Sequence, residues 1–172
     1  MTVEVAIRTA MEYEAKVRDT YAAEVVLATD PVAVRVLTLL AREEQGHLDY
    51  LVDRMREWTE SGTVKLEKLG TQVPSAQLLA KGIKGLERRM AMTDEQRASA
   101  LATLRKAEAA ERATAQWYHK VVDELPGATE KALFSRFLEI EEGHAAIVQA
   151  EIDSVTGLGF WFDVPEFRLE SE

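Results

Sequence analysis

A chain of 172 residues with 47% hydrophobic side chains can bury one sizeable core, and 30% charged residues with only four prolines favour helices over strands. A formal net charge of −9 argues against nucleic acid or an anionic membrane as the main partner. Cysteine is absent, which excludes disulfides, thiol catalysis and thiolate metal sites, so any metal must be held by Glu, Asp and His, a set that suits iron, manganese or zinc.

Apolar residues at helical spacing, Val3, Ile7, Ala10, Val17, Tyr21 and Val25, predict a first helix over 2–28. Thr29-Asp30-Pro31 then breaks the pattern, with Asp30 as an N-cap and Pro31 at the first helical position. A second helix follows to about Glu60, its inner side carrying Val34, Leu37, Leu40, Leu48, Leu51 and Met55, and Ser61-Gly62 ends it. Residues 62–74 read as a linker. Leu79, Ile83, Leu86 and Met90 predict a short amphipathic helix over 75–90. Thr93 or Asp94 caps a third long helix reaching Leu125, Pro126-Gly127 makes a turn, and a fourth helix spans Thr129 to Val155. No apolar run approaches about 18 residues and no signal-peptide pattern opens the chain, so the expectation is a soluble, cytoplasmic protein.

Four long helices in two hairpins, 1–60 and 94–155, joined by a long connection over 61–93, predict an all-α, ferritin-like four-helix bundle spanning 1–155. The aromatic tail over 156–172 is expected to pack on the bundle or on a partner subunit.

Sliding the sequence by 97 residues against itself exposes a repeat. Glu44 falls on Glu141, Gly46 on Gly143, His47 on His144, Glu14 on Glu111 and Tyr21 on Tyr118, without a gap. The two halves read as copies of one helical hairpin. Glu14 and Glu44 are equidistant from the first turn, as are Glu111 and Glu141 from the second. Each therefore lies about 15 residues, or roughly 22 Å, from its turn. Glu and His at i, i+3 share a helix face, and the neighbours Leu37, Leu40, Leu48, Leu51, Phe134, Phe137 and Ile140 make those faces apolar. Four carboxylates and two imidazoles are thus expected to converge inside the bundle. Left unpaired they are prohibitively costly there, whereas two divalent cations would offset the four charges. Two single glutamates with two Glu-x-x-His pairs are the ligand pattern of di-iron or di-manganese bundles.

With EAKVRDTY and ERATAQWY on helices one and three, EEQGH and EEGH on helices two and four, and the ending GFWFDVPEF, the chain resembles the rubrerythrin-like branch of the ferritin-like superfamily over nearly its whole length. The resemblance implies two iron ions, with manganese or zinc as substitutes. Glu44 and Glu141 would bridge them, Glu14 and His47 would complete one shell, and Glu111 and His144 the other. Tyr21 and Tyr118 would hydrogen-bond the ligand carboxylates and orient them; a purely packing role is their alternative. It also implies an oxidoreductase that reduces hydrogen peroxide or oxidises ferrous iron with dioxygen, a separate electron-donor protein, and a homodimer that could exchange hairpins. Two features depart from the pattern. No cysteine is present for a rubredoxin-type domain, and Thr114 stands where rubrerythrins carry an extra carboxylate. Both bear on peroxide turnover rather than on the metal site. A second expectation is metal handling without turnover, and a third a metal-free helical scaffold. His119, about 100° around the helix from Tyr118, is expected at the surface. Glu12, Glu43, Glu108 and Glu142 are expected to be solvated, Glu108 reaching the site only in a different register.

Overall fold

The computed structural model describes residues 1–28, 31–73 and 93–156. The expected cap at Asp30, the short helix over 75–90 and the aromatic tail lie outside the described residues. Four helices make up the described chain: α1 Val3–Leu27, α2 Pro31–Ser61, α3 Asp94–Glu124 and α4 Ala128–Thr156. No strand occurs among the described residues, and no described helix is long and apolar enough to cross a membrane.

Local chemistry sets the helix ends. Thr2 caps α1 by accepting the Val5 amide at 3.3 Å. α2 stops at Gly62, whose φ of 68° is the left-handed conformation that glycine adopts without a Cβ penalty. α3 starts in a reciprocal capping box: the Gln96 amide donates to the Thr93 hydroxyl at 3.2 Å, and the Thr93 amide donates to the Gln96 side chain at 2.9 Å. Thr93, rather than Asp94, is the cap.

α1 packs along α2, α3 along α4, and α1 against α3. The interior divides into two apolar clusters. One holds Val3, Ile7, Ala10, Leu51, Tyr118, Leu125, Phe134 and Phe137. The other holds Val17, Tyr21, Leu37, Leu40, Leu104, Ala107, Val148 and Ile152. On every helix the proposed ligands fall between the two sets: Glu14 between Ala10 and Val17, Glu44 and His47 between Leu40 and Leu51, Glu111 between Ala107 and Tyr118, Glu141 and His144 between Phe137 and Val148. The polar side chains therefore share one depth in the bundle, with apolar layers on both sides.

The linker lies against the helices. Val64, Leu69 and Val73 are buried. Arg54, only 3% exposed, donates to the Lys65 carbonyl at 3.0 Å, pairs with Glu67 at 3.1 Å and lies 4.7 Å over the Tyr50 ring. Arg136 of α4 donates to the Leu69 carbonyl at 3.3 Å.

Phe137 is fully buried and packs against Tyr118, Tyr50 and His47, with centroids 5.2, 5.9 and 5.5 Å apart. Truncation to Phe137→Ala is expected to destabilise the protein by about 3–5 kcal/mol, read as a lower urea midpoint with helical circular dichroism retained.

Candidate metal centre

Glu14 comes from α1, Glu44 and His47 from α2, Glu111 from α3, and Glu141 and His144 from α4. All four carboxylates are 0% exposed, and the two imidazoles are equally shut off from solvent. The i, i+3 spacing carries each histidine onto the face of its own glutamate. The His47 Nδ1 lies 3.0 Å from Glu14, 3.2 Å from Glu44 and 3.3 Å from Glu141. The His144 Nδ1 lies 2.8 Å from Glu44 Oε1, 3.8 Å from Glu111 and 3.9 Å from Glu141. The two rings stack in parallel, centroids 5.4 Å apart and planes 6° apart.

These six residues form two overlapping groups. Glu14, Glu44, His47 and Glu141 bring one ligand atom each to within 4.8 Å of one another, and so do Glu44, Glu111, Glu141 and His144. Glu44 and Glu141 belong to both. Each group offers three carboxylates and one imidazole and could hold a metal ion. Without one, the polar bookkeeping does not close. Glu44 Oε1, Glu111 Oε2, both Glu141 oxygens, His47 Nε2 and both His144 nitrogens are buried with no hydrogen-bond partner. The 2.8 Å approach of His144 to Glu44 is short but off the line of a hydrogen bond, so it satisfies neither atom. Buried polar atoms without partners are rare and costly; cations between the carboxylates would satisfy them. The donor set fits hard or borderline divalent ions.

The tyrosines do reach the ligands, but crosswise. Tyr21 of α1 donates to Glu111 of α3, and Tyr118 of α3 donates to Glu14 of α1. Seven residues span about 10.5 Å along a helix axis, too far for either phenol to reach the glutamate of its own helix. The neighbouring helix supplies the partner instead. Burial, reinforced by the Glu111 charge at Tyr21 and the Glu14 charge at Tyr118, pushes both phenols well above their ordinary range, so both remain donors.

Other expectations divide. His119 is largely exposed, 3.4 Å from the exposed Glu142. Glu108 turns to Arg112 at 2.7 Å and stays out of both groups. Thr114 is buried, its hydroxyl donating to the Ala110 carbonyl at 3.1 Å. Glu43 departs from the expectation of a solvated side chain. It is half-buried, accepts the Thr71 hydroxyl at 2.5 Å and the Gln72 amide at 3.3 Å, and forms a third potential ligand group with His47 and His144. Its position four residues before His47 was the available signal; the linker that folds over it had none.

No protein-family model, curated protein or solved structure matches the chain.

Crowding sets the protonation of the metal-free centre. Burial, then the charges of Glu44 and Glu14, pushes Glu141 up to about 8. Burial likewise drives Glu44 and Glu111 well above the ordinary carboxylate range, each helped by a neighbouring glutamate. Burial also opposes ionisation of Glu14, but hydrogen bonds from Glu44, His47 and Tyr118 outweigh it and leave Glu14 lowered. Burial works against a charged His47, but the surrounding carboxylates raise it, whereas burial leaves His144 lowered. A carboxyl group raised on folding stabilises the fold while protonated and loses that contribution as pH climbs. Metal-free protein is therefore expected to lose stability between pH 4.5 and about 8, measured as a falling urea midpoint. Metal affinity should rise over the same interval, with protons released on loading.

Proposed function

We propose that this chain is a rubrerythrin-like, ferritin-like bundle of two helical hairpins joined by a crossover, holding a carboxylate-bridged di-iron centre and acting as a cytoplasmic oxidoreductase on hydrogen peroxide or dioxygen. The supporting observation is the sharing of Glu44 and Glu141 by two four-residue ligand groups. Shared carboxylates at a common depth are what a pair of cations needs, since each bridging group lowers the repulsion between the two ions. In this reading Glu14 and His47 complete one shell, Glu111 and His144 the other, and Glu44 and Glu141 span both.

When bound, the two ferrous ions would supply one electron each, so that an O–O bond is cleaved in a two-electron step. The chain's own side chains do the rest. The His47 and His144 rings hold Nδ1 toward the carboxylates. The Tyr21 and Tyr118 hydroxyls fix the orientation of Glu111 and Glu14 and carry a proton at each carboxylate oxygen they touch. Leu37, Leu40, Phe134 and Phe137 close the interior against bulk water. These 172 residues hold no cysteine for an iron–sulfur or rubredoxin-type site, so electrons for repeated turnover would reach the centre from a separate donor.

Thr114, bonded to its own helix backbone, offers no further carboxylate, and this favours a second reading, metal binding and handling without turnover. Anaerobic ferrous loading followed by peroxide and an excess of reductant separates the two. Sustained peroxide consumption supports the oxidoreductase; one stoichiometric oxidation and then silence supports handling; no bound iron at all overturns both.

Glu44→Ala and Glu141→Ala are each expected to lose both ions, because each removes a ligand from both groups, while His119→Ala keeps full occupancy. Metal analysis after anaerobic loading and gel filtration checks this, and equal iron in all three variants would defeat the assignment.

A further inference from the structure

Tyr21 and Tyr118 are copies at the 97-residue offset, and each donates to a carboxylate of the other copy. Their surroundings are not copies. The Tyr118 ring meets Trp117 edge-on, with centroids 4.9 Å apart and planes at 61°. Trp117 in turn stacks on Tyr13 of α1, at 5.0 Å and 16°. Both Trp117 and Tyr13 are half-buried, so this row of rings starts at the surface and ends at a phenol bonded to Glu14. On the Tyr21 side the matching positions hold Thr20 and Ala110. Among the described residues no aromatic ring packs on Tyr21. Among the described residues, the duplication has thus kept both phenols and given an aromatic route outward to Tyr118 alone.

Tyrosine and tryptophan are the side chains that give up one electron most readily in a protein without cysteine, and rings in contact exchange electrons efficiently. We infer that Tyr13, Trp117 and Tyr118 form a one-electron relay between the protein surface and the carboxylate centre. Its use rests on the redox reading proposed above, but its detection needs no metal.

The steps balance. Tyr118 gives one electron to an oxidised centre while its phenolic proton passes to Glu14. Trp117 then gives an electron to the Tyr118 radical, which takes its proton back from Glu14. Tyr13 reduces the Trp117 radical cation and releases its phenolic proton to water. An external hydrogen-atom donor such as ascorbate restores Tyr13. The net change is one electron delivered inward, one hydrogen atom taken from the donor and one proton left in solution.

The test uses the full-length, metal-free protein and a flash-generated ruthenium(III) tris-bipyridyl oxidant, followed by transient absorption and electron paramagnetic resonance. A tryptophan radical is expected to decay as a tyrosine radical grows. In a Tyr13→Phe background, where Trp117 can draw only on Tyr118, that growth should persist; it should be lost on adding Tyr118→Phe and kept on adding Tyr21→Phe. Trp117→Phe should lose it; unchanged helical circular dichroism controls for folding. The relay is overturned if, in the Tyr13→Phe background, Tyr118→Phe leaves the transient unchanged, if Tyr21→Phe removes as much signal as Tyr118→Phe, or if Trp117→Phe leaves it unchanged. Normal iron loading with a failed transient sinks the relay alone, whereas a normal transient without iron binding sinks the redox reading and leaves the electron path standing.

Discussion

Four glutamates held at zero exposure within one layer of a helical bundle form the constraint on which the rest of this structure depends. Carboxylates so placed repel one another and lose their hydration, and among the described residues two imidazoles and two phenols answer them. The surrounding architecture serves this layer. Apolar clusters above and below it exclude water, and the helices on either side supply one or two ligands each. A bundle selected for stability alone would place leucines at these positions, since replacing buried charge by well-packed apolar groups is commonly neutral or stabilising.

Much of this was legible in the sequence because the signals were local or periodic. The end of α2 follows from Ser61-Gly62, the start of α3 narrows to Thr93 or Asp94, and the buried carboxylate–imidazole layer follows from two Glu-x-x-His pairs in register with Glu14 and Glu111. What stayed hidden depends on contacts between distant segments. The crossed pairing of Tyr21 with Glu111 and of Tyr118 with Glu14 arises because a phenol reaches a neighbouring helix sooner than it reaches two turns along its own. The half-burial of Glu43 arises because Thr71 and Gln72 fold back onto it. Val64, Leu69 and Val73 are buried although their spacing follows neither a helical nor a strand period, so the packing of the linker left no periodic trace.

The duplication is faithful where metal ligation would require it and relaxed elsewhere. The four glutamates of the buried layer, the two histidines and both phenols repeat, while Trp117 falls on Thr20, Tyr13 on Ala110 and Arg54 on Glu151 across the offset. Such a pattern follows if the two halves answer to a common demand at the centre and to separate demands at their outer faces. The fastening of the linker by Arg54, Arg136 and Glu43 belongs to the second kind. Through Glu43 that fastening touches the environment of both histidines.

On the proposed reading, the double membership of Glu44 and Glu141 would make loading a cooperative matter. A cation entering either group must displace protons from both of these carboxylates and set their orientation, which is much of the work the neighbouring position would otherwise have to do for itself. A second ion would then find its ligands ionised and aimed. Half-filled molecules would become scarce, and the population would divide into empty and doubly filled forms, two states with no third between them.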